Sequence, residues 1–330
     1  MSRANKCAAF PGLKRRSFVA CMAVAGLLAI SGASGCGAQP QKAVSATQAV
    51  APTDPAPPPE KTAGFDGNKA YAHVERVVAI GPRPPGSDGI HKTQEYIRAQ
   101  LQSYGCAVDE DAFHASTPLG QVEMRNFLVK IPGAKSGVVM FTGHYDTKLL
   151  PGFVGADDGG SSTGVLLELA RVLCGRKGAL TVWIAFFDGE EAFEEWGPTD
   201  SVYGSRQMAA KLAASEDLKR IKAMLLADLI GNRNLRVRRE ENSTKWLTDL
   251  VWSVAARLGY RNIFVNEAVP VDDDHMPFLR RGVPCVDVID FEAPYWHTSE
   301  DTLDKISPRS LAIVGHVFLE TLGDLEKKFR

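Results

Sequence analysis

Directly behind an apolar run at 179–187 the chain sets Asp188, Gly189, Glu190 and Glu191. Other apolar runs end the same way. "VVMFTG" leads into His144, Tyr145 and Asp146, "AMLLA" into Asp228, and "PCVDVID" through a short loop into Trp296 and His297. A further stretch, "GADDGGSSTG", places Asp157 and Asp158 ahead of a helical pattern. Carboxylates gathered on one buried rim repel each other and are costly to desolvate unless a cation balances them. Asp, Glu and His ligands with no Cys suit zinc in an open, catalytic site. Adjacent residues at a strand end point to different faces, so Glu190 and Glu191 should do different jobs, one binding metal while the other carries protons.

Each of these residues also has a plainer reading. Asp157 and Asp158 could cap the helix that follows them. His297 could be a lone surface histidine, although its aromatic neighbour and its place just after a strand favour a ligand. Asp272, Asp273 and Asp274 put negative charge at the start of a short helix that Arg280, Arg281 and Gly282 would close, and Asp273 can serve both that helix and a site. His275 reads as a structural hydrogen-bonding histidine, Asp188 as support for a turn, and Tyr145 and Phe153 as rim or loop packing. Trp296 could fill core and Trp196 could be a surface aromatic in a loop.

The elements that must position these groups follow from periodicity. Apolar runs of strand type lie at 122–131, 137–143, 179–188, 223–231, 262–266 and 284–290. Helical spacing is found at 68–80, 90–104, 162–173, 205–214, 243–258, 274–281 and 307–327, with no repeat at a fixed period. Strands interleaved with helices, several of them apolar on both faces, predict a single α/β domain: a central mixed, mostly parallel β-sheet flanked by helices on both faces. In such sheets ligands sit beyond the carboxyl ends of the strands, where these acidic groups fall.

Hydrophobic residues at 45% are enough for a full core, and Lys plus Arg at 38 against Asp plus Glu at 39 leave a net charge of -1, so no field exists to hold nucleic acid. The first 36 residues have another character. Lys14, Arg15 and Arg16 precede a short apolar stretch that ends in "GASGC", a signal peptide of lipoprotein type with Ala33 where Leu is usual and Cys36 as the lipidated residue. "KRRSFVA" also resembles a twin-arginine export signal. The expectation is an exported protein, periplasmic or at the cell surface, touching a bacterial membrane only through a lipid at Cys36. An Ala/Pro-rich disordered tether is expected over 37–65 and the catalytic domain over 66–330. Cys7 and Cys21 fall in the leader; Cys106, Cys174 and Cys285 remain, an odd number, and are all expected as buried free thiols.

"GHYDTK", "FVGADDGGSS", "FFDGEEAFEEWGPTDSVYGS", "ADLIG", "DDDHMPFLRRGVP" and "WHTSEDTLDKI", in that order, resemble the glutaminyl-peptide cyclotransferases, the glutaminyl cyclase branch of the zinc aminopeptidase superfamily. The resemblance implies one zinc ion held by Asp158, Glu191 and His297, with Glu190 as general acid and base. It implies that Asp228 and Asp273 hold the substrate amine and a proton network, and that Trp296 and Trp196 are walls of a substrate pocket. The implied reaction cyclises the N-terminal glutamine of peptides or proteins to pyroglutamate with release of ammonia; a monomer is the default expectation. Where the animal cyclases carry a cysteine pair, this chain has Gly143 and Thr163. His144, Asp158, Glu191, Asp228 and His297 also match the five ligand positions of two-zinc aminopeptidases, so an exported zinc aminopeptidase is the alternative. A lipid-tethered binding domain without activity would show a gap in the ligand set, and none is present. Two features lean toward the cyclases: the long segment between Glu191 and "YGS", and Asp273 where many aminopeptidases have Ser.

Overall fold

A computed structural model describes residues 54–329. The leader, Cys36 and most of the expected tether lie outside the described residues. Among the described residues are eight strands: β1 (Val108–Thr117), β2 (Gly120–Ile131), β3 (Gly133–His144), β4 (Gly178–Phe187), β5 (Ile221–Asp228), β6 (Val237–Glu240), β7 (Phe264–Val269) and β8 (Cys285–Ile289). Seven α-helices accompany them among the same residues: α1 (Gly67–Ile80), α2 (Asp88–Ser103), α3 (Gly160–Leu173), α4 (Tyr203–Ala214), α5 (Lys245–Arg257), α6 (Met276–Leu279) and α7 (Pro308–Lys328). None of the described helices is long and apolar enough to cross a membrane.

Six strands form one sheet in the order β1-β2-β4-β3-β5-β8. β1, β2 and β4 pair antiparallel, while β4, β3, β5 and β8 run parallel. The α/β expectation therefore holds, and all four parallel strands point their carboxyl ends at one rim. These strands read as continuous apolar runs because both faces are covered: Phe141, Ile184 and Leu225 pack in the cluster that also holds residues of α1, α3, α5 and α7, while Met140, Trp183 and Met224 pack in a second cluster with residues of α4 and α6. Each such side chain contributes about 1.5–3 kcal/mol by leaving water. α3 lies so close to α1 that a Cβ at Gly164 would stand 2.5 Å from the Ala70 carbonyl oxygen, so only glycine fits.

Four expectations are corrected. The packed chain starts before residue 66: a 3-10 turn covers Pro59–Lys61, Thr62 and Phe65 are fully buried, and Ser307 donates to Asp54 at 2.9 Å. Proline-rich composition predicts an extended path, but an extended strap can still dock. The run at 262–266 forms β7, outside the main sheet and paired with β6, and the helix expected at 274–281 shrinks to α6. The three cysteines are not all free thiols. Cys106 and Cys174 form a disulfide with Cα atoms 5.4 Å apart, and among the described residues Cys285 alone is a free, buried cysteine. The cysteines lie just beyond the ends of α2 and α3, a juxtaposition that sequence spacing cannot reveal.

The disulfide closes a loop of 68 residues. Loop-closure entropy for that length predicts that replacing both cysteines by serine lowers stability by about 4 kcal/mol, measured by urea denaturation under oxidising conditions. Reduction of the wild type should reproduce the loss.

Candidate active site

Local chemistry at each strand end explains how the acidic groups reach the rim. β4 ends at Phe187, and Gly189 turns the chain with φ +69° where a Cβ would stand 2.5 Å from Met124 Sδ. Behind that turn Asp188 is fully buried. Its Oδ2 accepts from Gln94, the Arg125 N–H and the Tyr145 hydroxyl at 3.1, 2.9 and 3.0 Å, so it joins α2, β2 and the end of β3. Burial and the nearby Asp146 carboxylate push it up to about 8. Asp146, just past β3, accepts the N–H groups of Glu190 and Glu191 at 3.1 and 3.3 Å and so sets both glutamates in place.

Asp157 and Asp158 do not cap α3. Gly159 occupies that position without a side-chain cap. Asp157 bonds instead to Gly231 and Tyr295, and Asp158 turns toward the rim. Asp158 Oδ1 lies 3.2 Å from His144 Nε2, and Oδ2 lies 3.4 Å from His297 Nε2. Asp228, the last residue of β5, places Oδ1 3.1 Å from His144 Nε2. Past β8, His297 adopts φ +53°, a left-handed conformation that L residues avoid, and puts Nε2 3.1 Å from Glu191 Oε1. Trp296 stacks on its ring with centroids 3.9 Å apart, and Phe153 meets it edge-on at 6.0 Å. Phe153 thus packs against a site residue rather than merely filling a loop.

Asp158, Glu190, Glu191, Trp196, Asp228, Asp273, Trp296 and His297, all expected from sequence, line one cavity of about 430 Å³. Lys148, Asp272 and Phe291 line it too. Sequence reasoning passed over Lys148, whose Nζ lies 3.4 Å from Glu191 Oε2 and 3.1 Å from the Ala192 carbonyl oxygen; its place in "GHYDTK" was the available signal. Trp196 is exposed on a loop shaped by Asp200, which accepts the N–H groups of Phe193, Glu194 and Glu195. His275 lies outside the cavity, fully buried with Nε2 3.1 Å from Glu240.

Two overlapping triads could hold a metal ion: Asp158, Glu191 and His297, and His144, Asp158 and Asp228. Within each, the ligand atoms lie within 4.8 Å of one another. The first opens to the cavity, whereas His144 is 1% exposed and lies behind the wall. Asp158 Oδ2 is buried and makes no hydrogen bond, as an oxygen reserved for a cation would be. Burial alone would raise Asp158, but His144 and His297 hold it well below the usual carboxylate range. Burial lowers His297, yet Asp158 and Glu191 outweigh it and bring the ring to about 9. Glu190 is raised well above its usual range by burial and by Glu191, Asp273 and Asp274, with His144 opposing. Those surroundings favour its protonated form, as suits a group that must both take up and give back a proton.

Comparison with known proteins agrees with this geometry. Residues 126–322 match the model of peptidase family M28. A glutaminyl-peptide cyclotransferase-like protein of Mus musculus is 36% identical over 279 residues, 73% of this chain and 72% of that one. The crystal structure of an Acidobacteriales bacterium glutaminyl cyclase superposes with a TM-score of 0.76 at 40% identity, over 86% of this chain and all of that one. A Zn-dependent exopeptidase from Parabacteroides distasonis superposes with a TM-score of 0.72 at 28% identity, over 78% of this chain and 98% of that one. Sequence, fold and strand-end geometry therefore converge: the chain belongs to peptidase family M28, in its glutaminyl-peptide cyclotransferase branch.

Proposed function

We propose that the protein is a zinc-dependent glutaminyl cyclase, converting the N-terminal glutamine of peptides or proteins to pyroglutamate and releasing ammonia. The observation that carries this reading is the placing of Glu190, buried and outside both metal triads, on the wall of the cavity that the Asp158, Glu191 and His297 triad faces. One bound zinc would be held by those three side chains and would act as a Lewis acid on the side-chain amide of the glutamine. Trp296 and Trp196 are the aromatic walls against which that side chain folds back, so that amine and amide carbon meet within one molecule.

The substrate's α-amine forms the new C–N bond to the side-chain carbonyl carbon, and the bond from that carbon to the amide nitrogen breaks. Glu190 accepts the proton that the amine loses and returns it to the departing ammonia. Asp228 and Asp273 orient the amine; the Asp273 Oδ2 atom is buried without a hydrogen-bond partner and is free to accept from it.

The second reading, an exported zinc aminopeptidase, is favoured by the His144, Asp158 and Asp228 triad and by the likeness to the exopeptidase. The location follows the leader: the protein is exported and tethered through a lipid on Cys36. The disulfide supports an oxidising compartment.

The purified domain should release ammonia from a Gln-initiated peptide with the matching mass loss and leave Leu-p-nitroanilide uncut; chromophore release without ammonia would establish the peptidase instead. Glu190→Gln should keep its zinc and lose turnover by about 10²–10⁴-fold, read in the same ammonia assay. His297→Ala should lower zinc content in elemental analysis, where the wild type carries one ion per chain. Labelled palmitate should enter the wild-type protein in cells and not Cys36→Ser.

A further inference from the structure

Asp157 is fully buried, yet its two carboxylate oxygens serve two other strand-end loops. Oδ1 accepts the Gly231 N–H at 2.6 Å, three residues beyond Asp228, at a position where a Cβ would crowd that oxygen at 3.0 Å. Oδ2 accepts the Tyr295 hydroxyl at 2.8 Å, two residues before His297. The loop carrying Asp157 is itself gripped from both sides. Asp301 accepts the N–H groups of Asp157 and Asp158 at 2.8 and 3.0 Å, and the fully buried Arg83 donates to the carbonyls of Tyr145, Val154 and Gly155 at 2.7, 2.5 and 2.8 Å. One side chain on a rigid loop thus ties together the three segments that deliver Asp158, Asp228 and His297.

Of these segments the last needs the most restraint. The left-handed backbone at His297 costs about 1–3 kcal/mol and persists only where its surroundings over-determine it. Stacking by Trp296 restrains the ring but comes from a half-exposed neighbour on the same turn. Buried Phe153 touches the ring edge-on and the Asp301 N–H donates to the Thr298 carbonyl, while the Tyr295 hydroxyl is the side-chain link from that turn to Asp157.

We propose that Tyr295 is a positioning residue for His297: through Asp157 it holds the strained turn so that the imidazole faces Asp158 and Glu191 before any metal arrives. The inference rests on the metal-holding role given to His297 above and concerns preorganisation of that site rather than the reaction.

Tyr295→Phe deletes only the hydroxyl. Metal-free wild type and variant are titrated with zinc against a competing chelator, and the absorption spectra of their Co²⁺ forms are compared. The variant should bind zinc about 10-fold or more weakly and show an altered cobalt spectrum. A zinc constant and cobalt spectrum equal to wild type would overturn the inference whatever the melting temperature does, because a merely structural hydroxyl would change only the latter. A second measurement needs no variant. In metal-free wild type the amides of Trp296 and Thr298, which donate to the Ala293 and Tyr295 carbonyls, should be protected from hydrogen exchange; free exchange there would overturn preorganisation. Wild-type protein that takes up no zinc would sink the metal-holding reading, and this inference with it. Normal wild-type binding beside an unchanged variant constant would sink this inference alone.

Discussion

Mutual repulsion among carboxylates is the constraint around which this rim is built. Asp158, Glu190, Glu191, Asp228 and Asp273 share a single cavity, and the lysine on its wall, Lys148, reaches Glu191. Such a group of charges is stable only if a cation enters, if some of the acids stay protonated, or if fixed dipoles meet them. The first two devices are provided for here, and a buried imidazole meets a further acid. The triad of Asp158, Glu191 and His297 offers a cation its ligands, Glu190 and Asp273 are driven toward the neutral form, and Asp228 faces the buried His144.

A second set of acids never faces the cavity and makes the first set possible. Asp146, Asp188, Asp157, Asp301 and Asp200 each accept two or more hydrogen bonds, most from backbone N–H groups in the loops beyond the strands. Loops at the ends of a parallel sheet have backbone donors with no strand partner, and a buried carboxylate satisfies several at once. The acid richness of the motifs thus has two causes in one place. One aspartate of "GADD" turns inward to hold loops and the next turns outward to the site, although both look alike in sequence.

That split explains what could be read before the structure was known. The four parallel strands and most helices were legible because burial on both faces or on one stripe leaves a strong apolar period. β1 was missed because it is an edge strand whose residues, such as Asp109, Glu110 and His114, mostly face solvent; β6 is only four residues long. The eight residues that line the cavity were legible as a set because acids gathered at strand ends cannot be explained by packing alone, and the roles proposed for them come from the family resemblance. Positions of support were not. Arg83 and Asp301 lie 218 residues apart, yet both grip the loop carrying Asp158. Nothing local in "GPRPPG" or "TSEDTL" signals that. The cysteine pair escaped for the same reason, since an odd count cannot say which two meet.

Choosing between cyclisation and peptide hydrolysis on one ligand set comes down to the substrate's amine. In hydrolysis the amine is a handle, and a metal or carboxylate may hold it by its lone pair or its charge without harm to the reaction. In cyclisation the same amine is the nucleophile, so its lone pair must be left free while its protons are held. A wall of carboxylates that accept N–H bonds does this, and a metal ion at the same place would not. On the reading proposed above, Asp228 and Asp273 are therefore better employed as acceptors than Asp228 is as a ligand of a second ion. Burial and Asp228 raise the Asp273 carboxyl well above its usual range. On the same reading, an ion bound between His144, Asp158 and Asp228 would compete with the amine for Asp228, and the second triad would serve a cyclase best with no metal in it.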